Sequence, residues 1–448
     1  MNRQLVCFLR KTAIGMTMLS LFAVGCATMK KEVKMDAKQN WATMDRSKFN
    51  IGAYILHPKA RTEQHIKEIA ECGLDFMVGV PYETETLDYF HKYGVGVFVR
   101  GTMPTWWGGD GNNAGTMYKS NPLSVYVESG KKFKDHPALF GLEIGDEPSA
   151  LDFPHFGKAY TTIKQSFPSR LLPFLNLYPN YASVADNTDA QKVNQLGTPT
   201  YKEHIDVYCK YFPADYICYD YYPYAAGYPG HYENLRIVAN ACRSTGRSLW
   251  IVLQVNSHTK ERFISENQLR MQAYSALAFG AEAIIWACYT PGWWENNVLD
   301  AEGNKTEQYA KLQKVNAELH SVTKEYMRYR NTSTHFVGFK ADSPYLAKLQ
   351  DTPALESLST GIFFDVKPEE GGLLIVGQMA SRERDGSSAL FLCAADDPAG
   401  DNPKQFNVTF RCNGKTVTAN GEVLSPNADG IYSLPIKSCS GVLLVSKP

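Results

Sequence analysis

The stretch "ALFGLEIGDEPSALDF", residues 138–153, is an apolar run with the make-up of a buried strand, and it stops at Asp146-Glu147-Pro148. Proline has no N–H to give to a continuing ladder, so the strand ends there and leaves two adjacent carboxylates at its tip. By period-two alternation Glu143, Gly145 and Glu147 share one face, and Asp146 shares the other with Leu142 and Ile144. The same grammar of apolar run, polar and aromatic loop, then helical pattern recurs along the chain. The strand candidates are "NIGAYILH" (50–57), "LDFMVGV" (74–80), "VGVFVRG" (95–101), "LFGLEIGDEP" (139–148), "LLPFLNLYP" (171–179), "ADYICYDYYPY" (214–224), "SLWIVLQV" (248–255) and "EAIIWACY" (282–289). Between them lie helical stretches such as 61–73 and 266–280, each closed by glycine. Strands that alternate with helices predict a parallel sheet, and eight such units in under 300 residues predict a (β/α)8 barrel. A doubly wound sheet would carry a Gly-rich phosphate turn after an early strand, and none is present.

After the helical stretch 310–330 the grammar changes to short alternating strands broken by Gly, Asn-Gly and Asp-Gly turns. This predicts an all-β sandwich. The expected division is 1–26 leader, 27–48 tether, 49–332 barrel and 333–448 β-sandwich. The leader has Arg3, Arg10 and Lys11 before an apolar core from Ala13 to Gly25, a secretory layout too short for a membrane span. Ala23-Val24-Gly25-Cys26 resembles a bacterial lipobox, in which the cysteine is lipidated, though leucine is commoner where Ala23 stands. The alternative is an ordinary leader cut near Ala27. The lipobox reading implies an exported protein, lipid-anchored at Cys26 to the cell envelope, facing the periplasm or the cell surface.

Charge is balanced at 46 Lys+Arg against 46 Asp+Glu, with no basic stripe dense enough for nucleic acid. No HExxH or paired Cys/His spacing implies a metal, and no cofactor motif is present. Absence of a GxSxG elbow and a Walker loop argues against esterase or nucleotidase chemistry. Cys218 and Cys288 sit in apolar strands and read as small core residues. Aromatic residues make up 12% of the chain and gather where strands end. Flat apolar faces with polar rims suit a carbohydrate partner.

Active sites of such barrels lie at the C-terminal ends of the strands. There the sequence places His57, Arg100 (followed by Trp106), Asp146 with Glu147, Asn176, Asp220 with Tyr222, Gln254, and Trp286 followed by Trp293. A glycosidase needs this set: an acid for the leaving oxygen, a second carboxylate for water or the anomeric carbon, and indoles to stack on sugar faces. An acid at a strand end is a salt bridge or cap about as often as it is catalytic. The coincidence around one rim carries the weight.

"FGLEIGDEP" resembles the strand-4 segment of the large clan of (β/α)8 retaining glycosidases, in which Asn-Glu-Pro ends the strand and the Glu is the general acid/base. The resemblance puts that role on Glu147, with Asp146 where the clan has Asn. "ADYICYDYYPY" resembles the clan's strand 6, and "AFGAEAIIWACY" its strand 8, which implies substrate stacking by Trp286. The clan's nucleophile is a Glu ending strand 7, where this chain has Gln254. An amide cannot form the glycosyl ester, so three readings stay open: Asp220 as second carboxylate, Asp146 or Glu295 in that role, or a barrel that binds glycan without cleaving it. The resemblance implies a glycoside hydrolase acting on oligo- or polysaccharide without a cofactor, or else a glycan-binding lipoprotein on a degenerate barrel. His57, Arg100, Trp106, Asn176, Tyr222, Gln254, Trp286 and Trp293 are the expected sugar contacts.

Overall fold

A computed structural model describes residues 44–100, 106, 113–168, 171–182, 195–349, 351–396 and 404–448. Cys26 and most of the tether lie outside these residues. Among the described residues no helix is long and apolar enough to cross a membrane. Trp41–Pro448 form one compact unit.

The barrel strands are β1 (Asn50–Tyr54), β2 (Phe76–Pro81), β3 (Gly96–Arg100), β4 (Leu139–Asp146), β5 (Leu172–Asn176), β6 (Tyr216–Tyr221), β7 (Ser248–Gln254) and β8 (Ala281–Ala287). Parallel ladders join them in the order β5-β4-β3-β2-β1-β8-β7-β6. The ring closes between β5 and β6 through the parallel bridge of Leu177 with Tyr219, where Leu177 N donates to the Cys218 carbonyl at 2.9 Å. The fold is the expected (β/α)8 barrel followed by β sheets.

Aromatic rings fill the middle of the barrel. Phe76 meets Phe98 at 5.6 Å, Phe98 meets Phe174 at 5.2 Å, and Tyr216 stacks on Trp250 at 4.5 Å between centroids. Gly52 makes room for this layer, since a Cβ there would fall 2.3 Å from the Phe76 ring. Aromatic packing therefore closes the barrel from below, and polar strand ends have only the C-terminal rim to occupy.

β4 departs from strict alternation. Glu143 pairs with Phe174 and Gly145 with Leu175, so Ile144 is an extra residue on the β4 side, and Asp146 pairs with Asn176. A bulge resets which face each following residue presents. Asp146 thus comes to the same side as Glu143, and both hydrogen-bond Arg100. The alternation read from sequence put them on opposite faces, and the bulge corrects it.

The helices start where the sequence offers caps. Thr200 with Glu203 and Ser265 with Gln268 form capping boxes at Tyr201–Tyr211 and Glu266–Ala278. The last barrel helix spans Glu307–Tyr326, shorter than the 310–330 pattern, because Tyr329 already pairs with Ser381 in a sheet. That strand, Tyr329–Val337, runs across the 332/333 division drawn from composition.

Among the described residues the C-terminal region holds a seven-stranded and a three-stranded sheet. The larger is buried on both faces. In Ser388–Ala395, Leu390, Leu392 and Ala394 pack toward the smaller sheet, while Ala389, Phe391 and Cys393 join the barrel's core. Phe391 meets Tyr274 and Tyr326 of the barrel helices at 6.3 and 5.5 Å. This explains the unbroken apolar run "ALFLCAA" in an antiparallel strand.

The closest approach lies at Gly377, where a Cβ would stand 2.3 Å from the Ala278 carbonyl oxygen. Gly377→Ala is expected to lower Tm by several degrees in a thermal melt, since overpacking costs about 1–3 kcal/mol. An unchanged Tm would mean that this sheet does not brace the barrel.

Candidate active site

Asn176, the last residue of β5, holds the centre of the rim. Its side-chain amide donates to Asp146 Oδ1 at 3.1 Å and to Asp220 Oδ1 at 2.9 Å. Its backbone carbonyl accepts the Glu147 N–H at 2.9 Å. The two aspartate oxygens share one nitrogen, so they lie no more than about 6 Å apart. Two unit charges at that separation repel by roughly 3 kcal/mol at an effective dielectric near 20. A hydrogen bond to a charged group contributes about 1.5–3 kcal/mol, so one amide with two such bonds is enough to hold the pair.

Glu147 follows directly on β4. Its backbone is in the left-handed region at φ 45°, which non-glycine residues seldom adopt. The bond to Asn176 and the following Pro148 hold it there, and the turn aims its side chain into the cleft beside Asp220. Glu147 and Asp220 line the same cleft, and a hydrogen bond from Glu147 acts on the Asp220 carboxyl. Two carboxyl groups can share such a bond only with one proton between them.

Burial pushes the Asp220 carboxyl up to about 7; the Asp146 charge adds to this, and the bonds from Asn176 and Glu147 oppose it. Burial also raises Asp146, against the pull of Arg100 and Asn176. Below them Glu143 is fully buried. Burial lifts it to about 7, Arg100 counteracts, and Asp146 adds to the rise. Arg100 bridges these acids, hydrogen-bonding Glu143 and reaching Asp146 Oδ2 at 3.5 Å. Burial works against its charge, but the two carboxylates outweigh burial and keep the guanidinium protonated.

The carboxyls face a cleft of about 270 Å³ whose walls are Tyr54, Tyr181, Tyr222, Val252, Trp293 and Trp294. Tyr222 meets Trp294 edge-on at 4.8 Å, and Tyr54 meets Trp293 at 6.3 Å. The arrangement can do two things: present a carboxyl pair that shares a proton, and hold a flat ligand between aromatic faces.

Seven of the expected residues meet here: Asp146, Glu147, Asp220, Asn176, Arg100, Tyr222 and Trp293. Trp106 adjoins them. Its carbonyl accepts the Asp146 N–H at 3.0 Å, while its indole N–H donates to buried Asp152 at 3.2 Å.

Others do different work. Trp286 is completely buried and donates its indole N–H to Asn316 Oδ1 at 2.9 Å. It packs against the last barrel helix and has no face for a sugar, which corrects the stacking role. Gln254 is also fully buried, its side chain accepting from Tyr224 N at 3.1 Å and donating to the Asn256 carbonyl at 3.1 Å. It ties the loops after β6 and β7 together and offers no group to a ligand. His57 caps a short 3-10 turn, its ring nitrogen accepting from Lys59 N at 3.4 Å. Glu295 bridges Ser257, pairs with Lys260 at 3.6 Å, and is not among the residues that line the cleft. Cys218 and Cys288 are buried, as expected.

Sequence reasoning missed Tyr54, Tyr181, Trp294 and Glu143. Tyr54 was hidden because the first strand ends there rather than at His57. Trp294 lay in view beside Trp293. Glu143 had a signal that went unused, namely a carboxylate in the middle of an apolar strand.

No protein-family model matches the chain, and no curated protein sequence does. Solved structures do. A catalytic mutant of Gan42B, a GH42 β-galactosidase from G. stearothermophilus, is similar over 91% of this chain and 99% of its own, with TM-score 0.56 at 9% identity. A β-glucuronidase from Bifidobacterium dentium, complexed with coumarin-3-O-glucuronide, is similar over 60% of this chain and 46% of its own, with TM-score 0.42 at 10% identity. Xylanase 10B from Thermotoga maritima is similar over 61% and 97%, with TM-score 0.41 at 12% identity. This chain thus spans under half of the glucuronidase's length. These neighbours are glycoside hydrolases with (β/α)8 barrels, and at such identities the likeness is one of fold.

The raised Asp220 carboxyl makes stability depend on pH. A group protonated in the folded chain up to about 7 but only to about 3.8 when unfolded adds stability below pH 4 that is lost as pH rises through 7. Asp220→Asn removes this loss. Its Tm relative to the parent is therefore expected to rise by a few degrees between pH 5 and pH 8. A difference that stays flat across that range would show that Asp220 ionises normally.

Proposed function

We propose that the protein is a glycoside hydrolase in which Glu147 protonates the leaving oxygen and Asp220 is the second carboxylate. The observation that carries this reading is that Glu147 and Asp220 line one aromatic cleft at the C-terminal rim, beside Tyr222, Trp293 and Trp294. Asp146 and Asn176 hold that pair in place, and Tyr222, Trp293 and Trp294 stack on the sugar. In the same reading Cys26 carries the lipid anchor and 27–48 tethers the barrel to the envelope.

A second reading has its own observation. Gln254, at the end of β7, is spent on internal hydrogen bonds, as in a barrel that binds glycan and no longer cleaves it.

The test is reducing-sugar release from a glycan panel by protein beginning at Ala27, which retains the whole unit Trp41–Pro448. Glu147→Gln and Asp220→Asn are each expected to lower the rate about a hundredfold or more. Binding that persists in parent and variants without any release would support the glycan binder and overturn the hydrolase.

A further inference from the structure

We infer that the cleft is built for a sugar carrying a positively charged amino group, a hexosamine with a free amine, held between Asp146 and the faces of Trp293 and Trp294. This rests on the cleft being a glycan site.

The argument starts from charge. Asp146, Glu147 and Asp220 line the cleft, with Glu143 buried directly behind. Among the described residues the cation that faces this group is Arg100, and its guanidinium is already engaged by Glu143 and Asp146. Four carboxyl groups thus stand against one guanidinium, and burial presses Glu143, Asp146 and Asp220 toward protonation. Buried charge left without a partner is costly, and among the described residues no three acid, His or Cys side chains are grouped to hold a metal ion. A ligand ammonium would supply the missing charge.

The donor inventory points the same way. The side-chain amide at the centre of the cleft is that of Asn176, and its N–H groups are taken by Asp146 and Asp220. The polar atoms left over include acceptors, beside the Arg100 Nε donor, which is buried without a partner. Glu143 Oε2 is buried without a hydrogen-bond partner. The hydroxyl of Tyr54, a residue 2% exposed on the cleft wall, also has none. An ammonium has three donors and no acceptor, whereas the carboxylate of a uronic acid would meet like charge. The remaining walls are indole and phenol rings, whose faces attract cations. Asp146 is the carboxylate best placed for the ammonium, because it stays partly open to the cleft while Glu147 and Asp220 engage each other.

The experiment uses three β-1,4-linked trisaccharides of one shape that differ at C2: glucosamine, N-acetylglucosamine and glucose. Binding to the protein beginning at Ala27 is followed by calorimetry and by quenching of tryptophan fluorescence at pH 6.5. The glucosamine trisaccharide is expected to bind at least tenfold more tightly than the other two. Raising NaCl from 50 to 500 mM should shrink that ratio, and Asp146→Asn should cut it below twofold. Equal affinities, or no binding of the glucosamine form, overturn the inference. Cleavage of a neutral glycan with no amine preference would leave the hydrolase reading standing and remove this one. An amine preference without cleavage of any glycan would support this one and remove the hydrolase.

Discussion

One amide between two carboxylates governs the rim of this barrel. Asp146 and Asp220 belong to strands on either side of β5, and burial pushes both toward protonation. Asn176 sits between them and donates to each, while its carbonyl holds the Glu147 backbone in its left-handed turn. Without that bridge the like charges would repel across about 6 Å, and the turn that aims Glu147 would lose its anchor. The register that pairs Asp146 with Asn176, and the bridge that closes β5 onto β6, are what put the three together.

The barrel is organised in layers to make this possible. Stacked rings fill the middle, where no polar group would find water, and the carboxylates occupy the rim above them. Between the layers stand Glu143 and Arg100, an ion pair whose guanidinium also reaches Asp146. Breaking such a pair by removing one partner is costlier than never having had it, because a buried charge is left alone. The pair thus makes the position of Asp146 stiff as well as charged. On the far side, the larger C-terminal sheet packs its second face on the barrel helices, so the two regions share one hydrophobic core.

The sequence by itself determined the architecture, because periodicity and strand-ending residues are local properties. Eight apolar runs alternating with helical patterns meant a barrel, and an Asp-Glu-Pro at the end of one run marked the rim. Asn176, Asp220, Tyr222 and Trp293 were legible for the same reason: each stands at or just past a strand's end. What local pattern does not carry is which way a side chain points once a strand is irregular. The extra residue in β4 put Asp146 on the side of Glu143, although alternation separates them. Trp286 and Gln254 were placed on the rim by position, yet one points to a helix and the other is consumed by loop hydrogen bonds. Only the tertiary structure decided which carboxyls come together, because Glu147 and Asp220 stand 73 positions apart in the chain and meet on one cleft through barrel closure, a constraint that no short window of sequence contains.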